Sequence, residues 1–122
     1  MNSHNRNIGK RGENEAAIYL QKKGYEILVQ NYHSHWGEID IIGKKNNTIS
    51  FVEVKTRMGE HKGKPYEAVG LRKIVNLKRA IKFYLLQNNF KSYKLSLDVI
   101  SITFSDDFKI SKFYHFKQVD GL

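Results

Sequence analysis

Gly37-Glu38-Ile39-Asp40-Ile41-Ile42 and Phe51-Val52-Glu53-Val54-Lys55-Thr56-Arg57 are the two stretches whose reading decides the fold. Each is an apolar strand pattern broken by charge. Glu38 and Asp40 alternate with Ile39 and Ile41, while Glu53 and Lys55 interrupt the run of Phe51, Val52 and Val54. Side chains two residues apart leave a strand on the same face, so Glu53 and Lys55 share one side of their strand. Between the stretches, Gly43-Lys44-Lys45-Asn46-Asn47 supplies turn residues. A hairpin is therefore predicted, with the second strand over Thr48 to Arg57, and it lets Asp40, Glu53 and Lys55 converge.

Working outward, residues from about Lys10 to Lys23 place Ala16, Ala17, Tyr19 and Leu20 near one stripe, with Gly24 as a natural stop. This predicts a first helix, followed by a strand over Tyr25 to Tyr32. On the other side, Met58 to Lys64 with Pro65 reads as a loop. From Tyr66 to about Gln87, Ile74, Leu77, Ile81, Tyr84 and Leu85 recur at helical spacing, with Arg72, Arg79 and Lys82 on the opposite side. Lys94 to Phe104 and Lys109 to Phe116 read as two further strands around the turn Ser105-Asp106-Asp107. The order is α-β-β-β-α-β-β. The second helix can carry the chain back to a strand parallel to the third, so the expected fold is α/β, a mixed sheet flanked by helices in three layers.

The chain has 122 residues, 40% hydrophobic and 27% charged, a size and balance suited to one packed domain. We expect a flexible tail over residues 1–8 and a single domain over 9–122. No run approaches the ~20 apolar residues of a membrane span, and no apolar block follows the polar amino terminus, so the expected location is cytoplasmic, away from membranes. The absence of cysteine excludes disulfides, thiolate metal sites and cysteine nucleophiles. Twenty-one Lys and Arg against twelve Asp and Glu leave a net charge of +9, which makes nucleic acid the expected partner.

Burying an unpaired carboxylate is costly, and two close carboxylates repel, so Asp40 and Glu53 both stay ionised only beside a compensating cation. A divalent metal would supply it. Hard oxygen ligands suit Mg²⁺ or Mn²⁺, which can activate water and stabilise charge growing on a phosphodiester. Lys55 would orient and help deprotonate the attacking water, or neutralise the transition state as a fixed cation. The competing reading makes Glu53 and Lys55 an ion pair on a solvent-facing sheet edge, with Asp40 paired to a lysine across strands. Glu60-His61-Lys62 repeats the Glu-x-Lys spacing without flanking strand formers, so strand context favours Glu53 and Lys55.

Asp40, the hairpin and Glu53-Val54-Lys55 together resemble the PD-(D/E)xK signature of the restriction-endonuclease-like superfamily. Upstream, Gly9-Lys10-Arg11-Gly12-Glu13, then Ala16-Ala17, Leu20 and Gly24-Tyr25, is similar to the first helix of archaeal Holliday junction resolvases. Gly-Glu-Ile-Asp at 37–40 with Phe-Val-Glu-Val-Lys-Thr-Arg at 51–57 resembles the bacterial YraN family, a group described as uncharacterised and expected to be endonucleases. The resemblance covers roughly Gly9 to Val99. It implies Asp40 and Glu53 as metal ligands, the Val54 carbonyl as a third oxygen, Glu13 as an outer or additional ligand, and Lys55 as the catalytic cation. Ile39 stands where the motif has proline, a position that carries no chemistry.

The resulting expectation is a Mg²⁺- or Mn²⁺-dependent endonuclease acting on branched or distorted DNA in repair or recombination. The branched preference rests on the resolvase resemblance alone. A homodimer or a recombination helicase is the expected partner, and RNA remains an alternative substrate. The rival reading is a nucleic-acid-binding adaptor that keeps the fold without cutting.

Accessory positions are Glu38, on the Asp40 face; Arg57, placed to take a phosphate bidentately; and Lys73, beside Leu77 and Tyr84 and so turned toward the sheet. Glu38 and Arg57 have surface roles as their competing readings. His33, His35 and His61 read as exposed loop residues and Asp98 as a paired structural acid. Tyr32 and Trp36 read as core aromatics, with stacking on unpaired bases the alternative.

Overall fold

The computed structural model describes residues 3–59 and 70–122. The element order is α1 (Ser3–Lys22), β1 (Glu26–Ser34), β2 (Gly37–Lys45), β3 (Thr48–Met58), α2 (Leu71–Gln87), β4 (Lys94–Phe104) and β5 (Ile110–Asp120). The five strands lie in one sheet in their sequence order. All four neighbouring pairs join strands consecutive in the chain, and the β3–β4 pair is the parallel one. Parallel strands need a crossover, and α2 lies within it. The architecture is the expected α/β one, consistent with a restriction-endonuclease-like core.

Two apolar clusters form the layers. On one face of the sheet, Ala16, Ala17 and Leu20 of α1 pack with Ile41, Val52, Val54, Ile100 and Ile102. On the other, Leu77, Ala80, Ile81 and Tyr84 of α2 pack with Ile42, Ile49, Phe51 and Leu97. Alternation along β3 assigns Val52 and Val54 to the α1 side and Phe51, Glu53 and Lys55 to the α2 side. The central strands β3 and β4 are covered on both faces, which explains their long runs of β-branched and aromatic residues.

The element ends follow local chemistry. Tyr25 N–H donates to the Leu20 carbonyl at 2.9 Å and Gly24 N–H to Gln21 at 3.0 Å, with Gly24 at φ 94°. This left-handed cap is the stop read from Gly24. The turn between β2 and β3 is tighter than expected. Gly43 to Lys45 belong to β2, leaving Asn46 and Asn47 between the paired Lys45 and Thr48. Asn46 sits at φ 53°, a conformation its short amide side chain tolerates.

Several expected boundaries are corrected. Helix α1 begins at Ser3, not near Lys10, because Ile8 extends its apolar stripe into the core. Strand β5 continues to Asp120, past the expected end at Phe116, where Asp120 pairs with Leu97. Helix α2 is described from Leu71; its expected start at Tyr66, the Glu60-His61-Lys62 segment and Pro65 lie outside the described residues.

Candidate metal and nucleic-acid site

Asp40 marks the point where β2 and β3 part. Their ladder runs from Lys45↔Thr48 to Ile41↔Val52 and ends there, while β2 stays paired to β1 as far as Gly37. In place of a further backbone rung, Val54 N–H donates to Asp40 Oδ2 at 2.8 Å. The alternation of β2 breaks at this residue: Ile41 joins the α1-side cluster and Ile39 the α2-side cluster. Asn31, which falls opposite Asp40 between two paired rungs, has φ 55° and accommodates the distortion from β1. The fork thus aims a carboxylate into a gap in the sheet and fixes it through the backbone of the strand that carries Glu53.

Glu53 is the buried member, its side chain 9% exposed. Burial raises its pKa first, the hydrogen bonding and charge of Asp40 next, and Lys73 offsets only part of this; the carboxyl is pushed up to about 8. Among the described residues, Glu53 Oε2 has no hydrogen-bond partner. Lys73 Nζ stands 3.3 Å from it, at ion-pair distance but without hydrogen-bond geometry. Lys73 lies in the first turn of α2, where the helix dipole disfavours a cation, so its attraction to Glu53 works against a local penalty.

Glu13 approaches from the α1 side. Its pKa is raised by burial first, then by the charges of Asp40 and Glu38. Gly12 makes this approach close: a Cβ there would stand 1.9 Å from Thr56 Cγ2. Glu38 itself is exposed and pairs with His33 Nδ1 at 3.0 Å across the β1–β2 hairpin. This pairing gives Glu38 the surface role that was its competing reading. Lys55 is exposed on the Glu53 face of β3, and Arg57 follows it, partly buried.

The residues fit a hard divalent cation in the way one or two carboxylates fit an ion that keeps most of its waters. The fit rests on the Glu53 oxygen that lacks a hydrogen-bond partner and on the burial and Asp40 charge that hold its proton. Among the described residues, no three His, Asp or Glu side chains form a ready ligating group. Asp40 and Glu53 are therefore the central pair. Glu13 feels the charge of Asp40, and the chain places the Val54 backbone between the pair.

Lys73, read from sequence as turned toward the sheet, reaches Glu53. The Glu53–Lys55 ion pair weighed from spacing does not form; Lys73 takes that place. Asp98 is the paired acid expected of it. Ser96 Oγ donates to Oδ1 at 2.5 Å, Gln118 N–H reaches the same oxygen at 3.2 Å, and His115 Nε2 lies 2.8 Å from Oδ2. Tyr19 Oη in turn lies 3.0 Å from His115 Nδ1. Sequence reasoning missed His115 because its partners lie on β4 and α1. His33 belongs to exposed strand β1 and not to a loop, His35 lies in the β1–β2 turn, and His61 is outside the described residues. Tyr32 packs edge-on against Tyr84 in the core, whereas Trp36 remains 42% exposed, against the expectation that both are core residues.

Comparisons with known proteins agree on one family. The uncharacterised protein family UPF0102 matches residues 12–102. A UPF0102 protein of Syntrophomonas wolfei is 48% identical over 102 residues, covering 84% of this chain and 89% of the relative. Another, from Clostridium tetani, is 42% identical over 113 residues, covering 90% and 93%. A third, from Persephonella marina, is 39% identical over 102 residues, covering 84% and 88%. The aligned span takes in the second half of α1, the forked hairpin and most of β4, so the chain belongs to the YraN-like family UPF0102.

Proposed function

We propose that this chain is a divalent-metal-dependent endonuclease of the restriction-endonuclease-like superfamily, hydrolysing phosphodiester bonds in branched or otherwise distorted DNA. The observation that carries the reading is the Asp40–Glu53 pair at the strand fork, with a buried carboxylate oxygen unpartnered by hydrogen bonds and a pKa pushed up to about 8. Such groups cluster where a charged ligand completes the site. Excess basic charge supports a polyanionic substrate, and the Gly9–Glu13 likeness to archaeal junction resolvases supports a branched one.

Asp40 and Glu53 would hold Mg²⁺ or Mn²⁺, with the Val54 carbonyl as a third oxygen and Glu13 acting through water. The bound ion supplies positive charge and an acidified water. The fork keeps the Asp40 carboxylate oriented through Val54 N–H, which reduces reorganisation during reaction. Lys55, exposed beside the acidic pair, sets its ammonium group against a scissile phosphate. Lys73, 3.3 Å from Glu53, offsets part of the rise in its pKa and would stand beside the bound ion. Glu38 and Arg57 line the approach. Among the described residues, no helix is long and apolar enough to cross a membrane; a DNA enzyme of this type works in the cytoplasm, alone, as a homodimer or beside a helicase.

The test is cleavage of single-stranded, duplex, flap and four-way DNA, with matching RNA substrates, in Mg²⁺ or Mn²⁺. Asp40→Ala and Lys55→Ala should each lower cleavage by roughly a hundred-fold or more while binding stays within a few-fold. Binding without cutting under every condition would favour the adaptor, and normal cutting by both variants would refute the assigned site.

A further inference from the structure

Helix α2 leaves an unusual outer face. Leu71, Val75, Phe83 and Leu86 are exposed, Leu86 by 82%. The same helix, Leu71–Gln87, carries five Lys and Arg residues and no acid. Against this face stands Trp36, at the tip of the β1–β2 turn. The turn is pinned: Trp36 N–H donates to Ser34 Oγ at 3.2 Å, Ser34 Oγ donates to the Gly37 carbonyl at 2.8 Å, and Gly37 sits at φ 143°. Arg79 lies over the indole, its Cζ 5.2 Å from the ring centroid. Trp36, Arg79, Lys82, Phe83 and Leu86 line a shallow groove of about 310 Å³.

An exposed apolar face normally calls for a second protein surface, but here the groove has Arg79 and Lys82 beside its apolar members. A second copy applied across a two-fold axis would set basic helices against each other, a like-charge arrangement without acidic partners on α2. An indole capped by the Arg79 guanidinium, with Lys82 and Phe83 beside it, instead matches a ligand that is planar and apolar on its faces and anionic along its backbone. Unpaired nucleotides have that combination, since every base offers a face for stacking and every linkage a phosphate. In duplex DNA the base faces are already occupied.

We propose that the groove between Trp36 and Phe83 holds an unpaired base of single-stranded DNA, the Arg79 guanidinium swinging off the indole to join Lys82 on the flanking phosphates. The inference deepens the nuclease reading and rests on it for its purpose: a strand leaving this groove along α2 runs toward the end of the helix that carries Lys73, the partner of Glu53. Lys73 and Arg79 are separated by six positions of α2, roughly 9 Å along its axis and about a third of a turn around it. Gly37, beside Trp36, also faces Asn76 between them. The groove therefore selects DNA with an unpaired segment next to the bond presented to the carboxylates, as at a flap or an open junction.

Trp36 is the only tryptophan in the sequence, so its emission reports this groove directly. The experiment titrates the full chain with short oligothymidylate and, separately, blunt duplex at equal phosphate concentration, in chelator so that no cleavage occurs. Saturable quenching by oligothymidylate, with much weaker quenching by duplex, is expected. With fluorescein-labelled oligothymidylate, Trp36→Ala and Arg79→Glu should each bind roughly ten-fold more weakly, and Trp36→Phe within a few-fold of the parent. Thermal melting confirms that each variant is folded.

Binding that leaves Trp36 emission unchanged, or unchanged affinity in Trp36→Ala, overturns the proposal. So does a dimer that Leu86→Glu dissociates while oligothymidylate affinity stays the same, which would assign the face to a second copy. Failure of the nuclease reading looks different: quenching persists, but cleavage is absent when metal is restored.

Discussion

Lys73 of α2 stands 3.3 Å from the buried Glu53 carboxylate, although Lys55 is the lysine that shares its strand and motif. The two cations therefore divide their work: Lys73 moderates the titration of Glu53, and Lys55 stays exposed. Lys73→Met should move the Glu53 pKa further above its present value of about 8, while Lys55→Met should leave it nearly in place. Carboxyl-carbon NMR of labelled Glu53 reads both. A larger displacement in Lys55→Met would assign the pairing wrongly.

The raised pKa of Glu53 also sets a pH dependence. Its folded value of about 8 exceeds the ordinary carboxyl value of 4.5, so the metal-free native state binds more protons than the unfolded chain between these limits. This contribution to stability is fully present below about 4.5 and is lost as pH rises through about 8. Metal binding must release the proton, so Mn²⁺ affinity should increase by up to roughly ten-fold per pH unit in that window and level off above it. Isothermal titration across buffers of different ionisation enthalpy measures the proton. Glu53→Gln should abolish both the binding and its pH dependence. A pH-independent Mn²⁺ affinity with no proton release would remove Glu53 from the ligand set.

Asp98 and His115 should behave as structure and not as chemistry. Their side chains are 1% and 5% exposed, and Asp98 also receives Ser96 and the Gln118 amide. Asp98→Ala strips partners from several buried polar groups, and a loss of about 3 kcal/mol in unfolding free energy is expected from denaturant titration. At a temperature where the variant remains folded, Mn²⁺ affinity should match the parent. A stable variant with impaired metal binding would reverse this assignment.

Gly12→Ala tests the placement of Glu13. Alanine improves helix propensity by about 1 kcal/mol, but its Cβ would fall 1.9 Å from Thr56 Cγ2 and 3.3 Å from Thr56 Cβ. Overpacking of about 1–3 kcal/mol should outweigh the gain and lift α1 from β3. Gly12→Ala combined with Thr56→Ser, which deletes the clashing methyl, should recover most of the loss. Equal stability of Gly12→Ala and its parent by thermal melting would show that the approach of α1 is looser than described.

The architecture was legible because the strand patterns of β2 and β3 and the helical stripe of Leu77, Ile81 and Tyr84 are local signals. Asp40 and Glu53 were legible as charges where apolar residues were due, and Lys73 as a lysine on the inward side of α2. What escaped depends on distant partners. No local pattern links His115 to Asp98 and Tyr19, or brings Trp36 beneath Arg79, because each arrangement joins three-dimensional neighbours across different elements. The α1 start was misplaced because Ile8 is a lone apolar residue among polar ones, and its burial is decided by the sheet. The nature of the reaction was expected from resemblance, which local physics alone could not supply.

The two central carboxylates belong to the arms of a single hairpin, joined through Asn46 and Asn47. That arrangement makes the paired arms a molecular ruler. A residue added at Asn46–Asn47 would only lengthen the loop and leave both acids in place, whereas one added inside the paired arms would force a bulge or a register slip that re-aims an acid. Variation in hairpin length compatible with this centre is therefore confined to its tip.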